Sequence, residues 1–511
     1  MATKTLWIKE LGGGLNNRFR QNRIGDNETI AARNNRWTRI GALTKRLGTT
    51  RTSLAISGMG VINTIFAKEG STTEELLYSD GDQIAVVGTS LSSPSSLVTG
   101  LNNEWPMEFL TFNGATYATN GNDTVRKITT ANGVSTIAAY PAARFHVAHK
   151  GYVFTLNQDA AGSRNRLQWS AQGDAENWPS TSFEDIYPFG NSVGLGLYPL
   201  GDELIVFQGP DYTGTTRVYN TGKIYRIIGD VFDPTNPTYV IEEIPMAPDV
   251  GLLGNAHRAI KALNGELIFP TNNGFYKYIP GGGMPVPISE IIGGDIDNWE
   301  KADINAPVRM AAGAIWKNEY ICSLYNDGDS SDTWNNRIYV WDISKKWNRD
   351  LLDSGSDDYT VGGSTGSSFA IFNGGLYGCS GGTAAIVRQW YSDSSFGDNA
   401  DDATSRNVNF AFLTKEFDFL NQSSVSDCYI HLRRQSSGTL TVEFNADQRG
   451  AVSASLDMTA PDTGSTQDSN SRVLRKKVSI NQIMQTIQFR FYDRGANDVE
   501  IYAIEILYEP S

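Results

Sequence analysis

Cysteine is scarce in this sequence of 511 residues: only Cys322, Cys379 and Cys428, widely spaced and odd in number. With no CxxC pair among them, they exclude a disulfide framework and a thiolate metal knuckle. They read as buried apolar filler in a protein made in a reducing cytoplasm. Histidine is nearly as rare, with four copies. No apolar run approaches the roughly 20 residues that a membrane-spanning helix requires. The opening MATKTLWIKE mixes charged and apolar residues from its start, so it does not read as a secretory signal. Long stretches of Leu, Ala and Glu at helical spacing are missing too, which argues against a helical bundle.

What the chain has instead is glycine (51 residues) and aromatic side chains (11 %), the composition of short strands joined by tight turns. Past the first fifty or so residues one local pattern recurs: a turn with Asn, Asp or Gly, a short apolar or alternating stretch, a second turn, another strand. LLYSDGDQIAVVG (76–88), LTFNGATYATNGNDTVRKI (110–128), LNGELIFPTNNGFYKYI (263–279) and FNGGLYGCS (372–380) are examples. The Asn-Gly and Asp-Gly pairs supply the positive φ that tight hairpins need. Units recur about every 35–55 residues, the range of four-stranded propeller blades. A lone meander cannot bury both faces; stacking meanders radially covers them and leaves only short protected edges. The predicted fold is therefore all-β, with an irregular β-propeller of about six to eight blades over residues 52–395. One stretch, ISEIIGGDIDNWEKADI (288–304), reads as helical and is expected between blades. The polar run SDSSFGDNADDATSRN (392–407) reads as a linker, and the alternating strands that follow predict a C-terminal β-sandwich over 405–511.

Charge is split unevenly. Residues 1–51 carry 11 Lys and Arg against 3 Asp and Glu, a balance of +8, so the rest of the chain, with an overall net charge of −13, stands at −21. The basic segment opens with LGGGLNNRFRQNRI (11–24). Its glycines lack the lysine and spacing of a P-loop and do not form GxGxxG, so a phosphate cradle is rejected. Arg18, Arg20, Arg23, Arg33, Arg36 and Arg39 suit bidentate contacts to carboxylate or phosphate. Leu15, Phe19, Ile24, Ile30, Trp37, Ile40 and Leu43 are too many apolar anchors for a solvated tail. Residues 1–51 are therefore expected to be an extended arm that orders on a partner, with Arg18, Phe19, Arg20, Arg23, Arg33, Arg36, Trp37 and Arg39 as its docking residues. Whether that partner is a neighbouring protein surface or DNA stays open at this level.

Catalytic and metal signatures are weak. His146 and His149 form an HxxH pair, but an odd offset puts them on opposite faces of a strand. NDGDSSD (326–332) fails as an EF-hand loop, having Asp332 where Gly is needed and Ile338 where Glu is needed. WSAQGDAENWP (169–179) is similar to the Asp-box turn of sialidase-type propellers, a structural motif. No GxSxG elbow is present and no carboxylate pair is singled out. The expectation is a protein that is not an enzyme and holds no metal or cofactor.

Several segments carry a resemblance. ELGGGLNNRFRQNRIGDNETIAARNNRWTRIGALTKRLG (10–48), NSVGLGLYPLGDELIVFQGPDYTGTTRVYN (191–220), DVGLLGNAHRAIKALNGELIFPTNNGFYKYI (249–279), NNRIYVWDISKKWNRDL (335–351) and QTIQFRFYDRGANDVEIYAIEILYEP (485–510) resemble, in pattern and order, the tail hub (stabilisation) and nozzle β-propeller proteins of short-tailed phages. That resemblance implies a structural virion protein, made in the host cytoplasm, that assembles into a ring, usually a hexamer, below the portal and adaptor. Such a ring closes a central channel and conducts DNA on ejection without sequence-specific binding, and an acidic wall would let the genome slide. It implies no catalytic residues. The alternatives are a receptor-binding or glycan-processing tail protein, a virion protein that uses the arm on DNA, and a tail-tip or baseplate propeller of a longer-tailed phage.

Overall fold

The computed structural model of the chain describes residues 3–510 except 21–22, 39–40, 159–162, 187–191, 211–221, 231, 233–237, 248–249, 297–309, 326–334, 336, 343–346, 351–366, 380–383, 391–396, 399–405, 464 and 469. Among these the chain forms seven four-stranded antiparallel sheets, one eleven-stranded sheet and one two-stranded sheet, Gly397–Asp398 with Arg406–Asn407. Blades 1 to 6 span 64–98, 108–136, 143–185, 192–244, 261–287 and 312–350, each a meander in chain order. Blade 7 combines three strands over 369–389 with a fourth drawn from before blade 1, Thr50–Ser53. The fold is a seven-bladed β-propeller, within the predicted six to eight.

Turn chemistry fixes the meanders. The hairpins between first and second strands turn on Asn113–Gly114, Lys150–Gly151, Asn264–Gly265, Lys317–Asn318 and Asn373–Gly374, and both residues of each pair have positive φ. That double requirement defines a type I′ turn, whose twist matches the flanking strands, and Asn-Gly meets it at least cost. The first strands of successive blades lie side by side around the axis. Between blades 4 and 5 a 3₁₀ turn, His257–Ala259, takes part in the ring by packing on Ser192–Leu200, Glu266–Thr271 and Ala312–Trp316.

The expected arm is not an arm. Residues 4–53 supply six strands: β1 (Lys4–Lys9), β2 (Gly14–Leu15), β3 (Glu28–Arg33), β4 (Asn35–Trp37), β5 (Leu43–Lys45) and β6 (Thr50–Ser53). β1 pairs along six residues with the last strand, Glu500–Pro510, from Lys4 opposite Tyr508 to Lys9 opposite Ala503. β3 pairs with Phe410–Thr414, and β5 with Glu500 and Ile501. β6 closes blade 7 against Ala385–Gln389. The C-terminal unit is accordingly one continuous sheet curled around a single core, not two sheets formed by residues 405–511 alone. Its long strands, Phe417–Arg433 and Val473–Asp493, carry the ladder around the curl.

The physical reason lies in the apolar anchors. Ile8, Leu11 and Leu43 are buried in the core of the curled sheet with Phe412, Phe491 and Ile504, while Leu15 and Ala32 join the propeller core around blades 4 to 6. Each fully buried Leu or Ile contributes about 1.5–3 kcal/mol, and the strand ladder satisfies the backbone as well. The segment therefore buries Leu15, Ile24 and Leu43 of these anchors within its own chain, while Phe19 stays exposed. Of the expected helix, the described residues show a 3₁₀ turn, Glu290–Ile292, and one α-turn, Gly293–Ile296, while 297–304 lie outside the described residues.

Candidate functional site

The eight residues expected to dock a partner do not converge. Arg18 lies 3.9 Å from the Glu290 carboxylate. Beside it, the backbone N–H groups of Asn17 and Arg18 donate to the Ile291 carbonyl, and the Asn17 side chain donates to Asp295. Phe19 is 51 % exposed, and Arg18, Arg20 and Arg23 are exposed with it. Arg33 sits on the outer face of the curled sheet. Arg36 stacks over Trp390 at 4.7 Å, just past blade 7, and Trp37 donates its indole N–H to the Leu11 carbonyl at 2.8 Å. Arg39 and Ile40 lie outside the described residues. Much of the segment's positive charge is used internally. Lys45 pairs with Asp493 at 2.7 Å with both side chains buried, and Arg46, 1 % exposed, donates to Asn34 at 2.9 Å and to the Leu47 carbonyl. A basic arm held ready for another molecule is thus corrected to a strap that stitches sheet to propeller. Of the predicted residues that the structure describes, Arg18, Phe19, Arg20 and Arg23 are the exposed ones.

A second cluster closes one end of the propeller axis. Arg258, on the 3₁₀ turn between blades 4 and 5, crosses to the opposite side of the ring. It donates to the Asn63 carbonyl and Thr64 hydroxyl of blade 1, the Met107 carbonyl and Glu108 carboxylate of blade 2, and the Ser367 carbonyl before blade 7. His257 Nε2 lies 2.8 Å from the same Glu108 oxygen, so one carboxylate holds two consecutive side chains. Burial alone would raise the Glu108 carboxyl, but Arg258 and His257 hold it at about 2. A base so weak cannot abstract protons usefully at neutral pH, so this carboxylate acts as a clasp. Nothing in NAHRAIK (255–261) announces the role in the sequence, because Arg258 gains it from blades far along the chain.

A third group surrounds a cleft of about 210 Å3 on the curled sheet, lined by Arg33, Arg490, Arg494, Glu443 and Tyr492. Arg33, Ala411, Tyr492 and Thr441 stand opposite one another on four adjacent strands, and Leu413, Arg490 and Glu443 form the neighbouring row. Directly paired residues share a face, so these side chains point outward while Phe412, Phe491 and Val442 point into the core. Ala411, paired with Arg33 and Tyr492, also lines the cleft, with Asn409 and Phe410. Glu443 receives the Tyr492 hydroxyl at 3.1 Å and lies 3.7 Å from Arg490.

The remaining sequence candidates resolve as structure. His146 and His149 lie on one strand with separate surroundings: His146 Nδ1 is 2.8 Å from the Tyr140 hydroxyl, while His149 packs near Phe154. Burial pulls both imidazoles down to about 4. Among the described residues no group of three or more His, Cys, Asp or Glu is arranged to hold a metal. In WSAQGDAENWP, between the third and fourth strands of blade 3, the Ser170 hydroxyl accepts from the Val153 N–H, the Trp178 indole donates to the Ala175 carbonyl, and the Gly173 carbonyl accepts from the Asn113 side chain of blade 2. NDGDSSD lies outside the described residues. All three cysteines are free and buried, and burial pushes the thiols of Cys322 and Cys379 up to about 12. No helix among the described residues is long and apolar enough to cross a membrane.

No protein-family description and no curated protein matches the chain. Among solved structures it is similar to the extracellular domain of a putative one-component system from B. thetaiotaomicron, at 11 % identity and a TM-score of 0.42, over 82 % of this chain and 48 % of that one. The chain thus spans about half the length of that structure. It is also similar to YCF48 bound to D1 peptide, at 10 % identity and a TM-score of 0.37, over 67 % of this chain and 97 % of that one. Neither is described as a virion component, and likeness at this level carries no argument about function.

Proposed function

We propose that the chain is a structural subunit of a phage tail, of the hub or nozzle kind, which packs side by side with copies of itself into a ring, six in the usual form, around a channel for DNA. The observation that carries this reading is the order of segments from LGGGLNNRFR to VEIYAIEILYEP, which resembles that of hub and nozzle propellers over most of the chain. A β-propeller suits a structural or binding protein, since its blades offer a rigid rim for lateral contacts. The −21 balance of residues 52–511 suits a channel wall that repels DNA. In this reading the lateral contact uses the exposed group Arg18, Phe19, Arg20 and Arg23 against the acidic surface of a neighbour.

The test is the mass and symmetry of the assembly, measured by native mass spectrometry of the purified chain and by imaging of particles that contain it. A closed ring is expected. A protein that stays monomeric under every virion-like condition, including adaptor and portal proteins, refutes the reading. Replacing Arg18, Phe19, Arg20 and Arg23 together with alanine is expected to leave a folded monomer that no longer closes the ring; normal rings from this variant would refute the proposed contact alone.

A further inference from the structure

The curled sheet ends on a strand with one open side. Ala451–Asp457 pairs along its seven residues with Thr439–Ala446 and with no other strand among the described residues. The Met458 N–H donates to the Gly438 carbonyl and the Gly450 N–H to the Asn445 side chain. Even-numbered residues thus face the neighbouring strand, and Ala451, Ser453, Ser455 and Asp457 turn their N–H and C=O groups away from it. None of these outward backbone groups has a hydrogen-bond partner among the described residues, and all four residues are exposed. Natural edges are blunted by lysine, proline, a bulge or short length. Here β1 begins and ends on lysine, the outer strand of blade 4 carries Glu242 and Glu243, and the outer strand of blade 1 is bulged between Ser96 and Val98. AVSASLD has none of these guards; its single charge stands at its end.

We propose that this edge pairs antiparallel with the same strand of a second copy, about a two-fold axis at Ala454, so that one sheet runs through two molecules. The strand is complementary to itself in that register. The outward backbone groups meet in hydrogen-bonded pairs, Ser453 opposite Ser455 and Ala451 opposite Asp457. Val452 and Leu456 fall in the closer, non-hydrogen-bonded pairs, opposite each other and on the core side of the sheet. Val452 is 44 % exposed although its own neighbour Phe444 is buried, so Leu456 of the second copy would continue a core that stops short at this edge. Asp457 meets alanine and not its own counterpart, so no like charges oppose. A two-fold contact cannot generate a cyclic ring; the inference therefore stands apart from the hub reading and joins either two chains or two whole rings.

Sedimentation equilibrium of the full chain tests it, with pairing of chains or of rings expected. Ser453→Pro removes an outward N–H and no hydrogen bond within the chain. It is expected to weaken the association about tenfold or more at an unchanged melting temperature. Where that variant fails to fold, the double variant Ser453→Lys/Ser455→Lys, at exposed positions, takes its place. Alone it opposes like charges and blocks pairing; mixed with Ser453→Glu/Ser455→Glu it pairs again. Ala454→Cys, on the axis, is expected to give covalent dimers under mild oxidation, whereas Ala451→Cys, whose counterpart lies at the far end of the pair, is not. The native cysteines are buried and do not interfere. Three outcomes overturn the proposal: the parent stays a single chain or a single ring at roughly 0.1 mM; the folded proline or lysine variant associates like the parent; or the two cysteine variants cross-link alike.

Discussion

Replacing Arg258 with alanine removes five hydrogen bonds that join the 3₁₀ turn to blades 1 and 2 and to the segment entering blade 7. The guanidinium side chain is 7 % exposed and the Glu108 side chain 20 %, so the pair is largely shielded from water. Removing one member of such a pair leaves the other charge without its main partner and costs about 3–5 kcal/mol. The three carbonyls that lose a donor would add to this, but water entering the widened axis offsets part of the loss. Against a typical domain stability of about 5–15 kcal/mol, the change is large. An exposed pair gives the contrast: Arg166 and Asp185 are 30 % and 51 % exposed, and deleting that bridge should cost about 0–1 kcal/mol. Urea unfolding of Arg258→Ala, Arg166→Ala and the parent measures both. Hydrogen exchange should also rise in Thr64–Glu69, Glu108–Phe112 and Phe369–Phe372, the first strands around the seam. Arg258→Lys keeps the charge but loses the fork, and should fall between. An Arg258→Ala protein within about 1 kcal/mol of the parent, with unchanged exchange at the seam, would refute the clasp.

Acid should act through the same clasp. The Glu108 carboxyl falls from its ordinary value of 4.5 to about 2, so its stabilisation is complete above 4.5 and is lost as pH falls from there towards 2. The loss is on the order of 3 kcal/mol, and Glu108→Gln should flatten the stability curve in that window while lowering the plateau. Deleting residues 1–53 should abolish soluble folded protein, because it takes five strands from the curled sheet and the fourth strand from blade 7; a truncated chain with a native circular dichroism spectrum would contradict the strap. Leu420 is 85 % exposed with φ near +65°, so Leu420→Gly relieves a left-handed leucine and should be neutral or stabilising by up to about 1 kcal/mol, read as a melting shift; clear destabilisation would show that the side chain packs.

Much of the propeller is legible in the sequence because its rules are local. FNGA, LNGE and FNGG mark hairpins whose φ angles the structure bears out at Asn113–Gly114, Asn264–Gly265 and Asn373–Gly374, and their spacing brackets seven blades. The anchors of the first fifty residues are also legible as anchors. Which surface they bury against is not, because Ile8 meets Ile504 across nearly the whole chain and apolar periodicity does not distinguish a partner in the same molecule from one outside it. The axial clasp and the arginine cleft share that difficulty. Arg33 and Arg490 are ordinary surface arginines until the pairing of β3 with Phe410–Thr414, and of that strand with Val473–Asp493, sets them on one face.

The pairing of β1 with Glu500–Pro510 also sets a timetable for synthesis. β1 to β5 leave the ribosome before the propeller does, yet the strands that cover them, from Phe410–Thr414 to Glu500–Pro510, are made after it. At roughly 5–20 residues per second the interval is on the order of half a minute to a minute and a half. During that time the whole propeller is made, and Ile8, Leu11 and Leu43 have no finished core to enter. Lys4 and Lys9 at the two ends of β1 are suited to this wait, since charge on an uncovered strand discourages pairing with the wrong edge. The nascent chain is thus most exposed to aggregation early, and is released from that risk only when its final strand arrives.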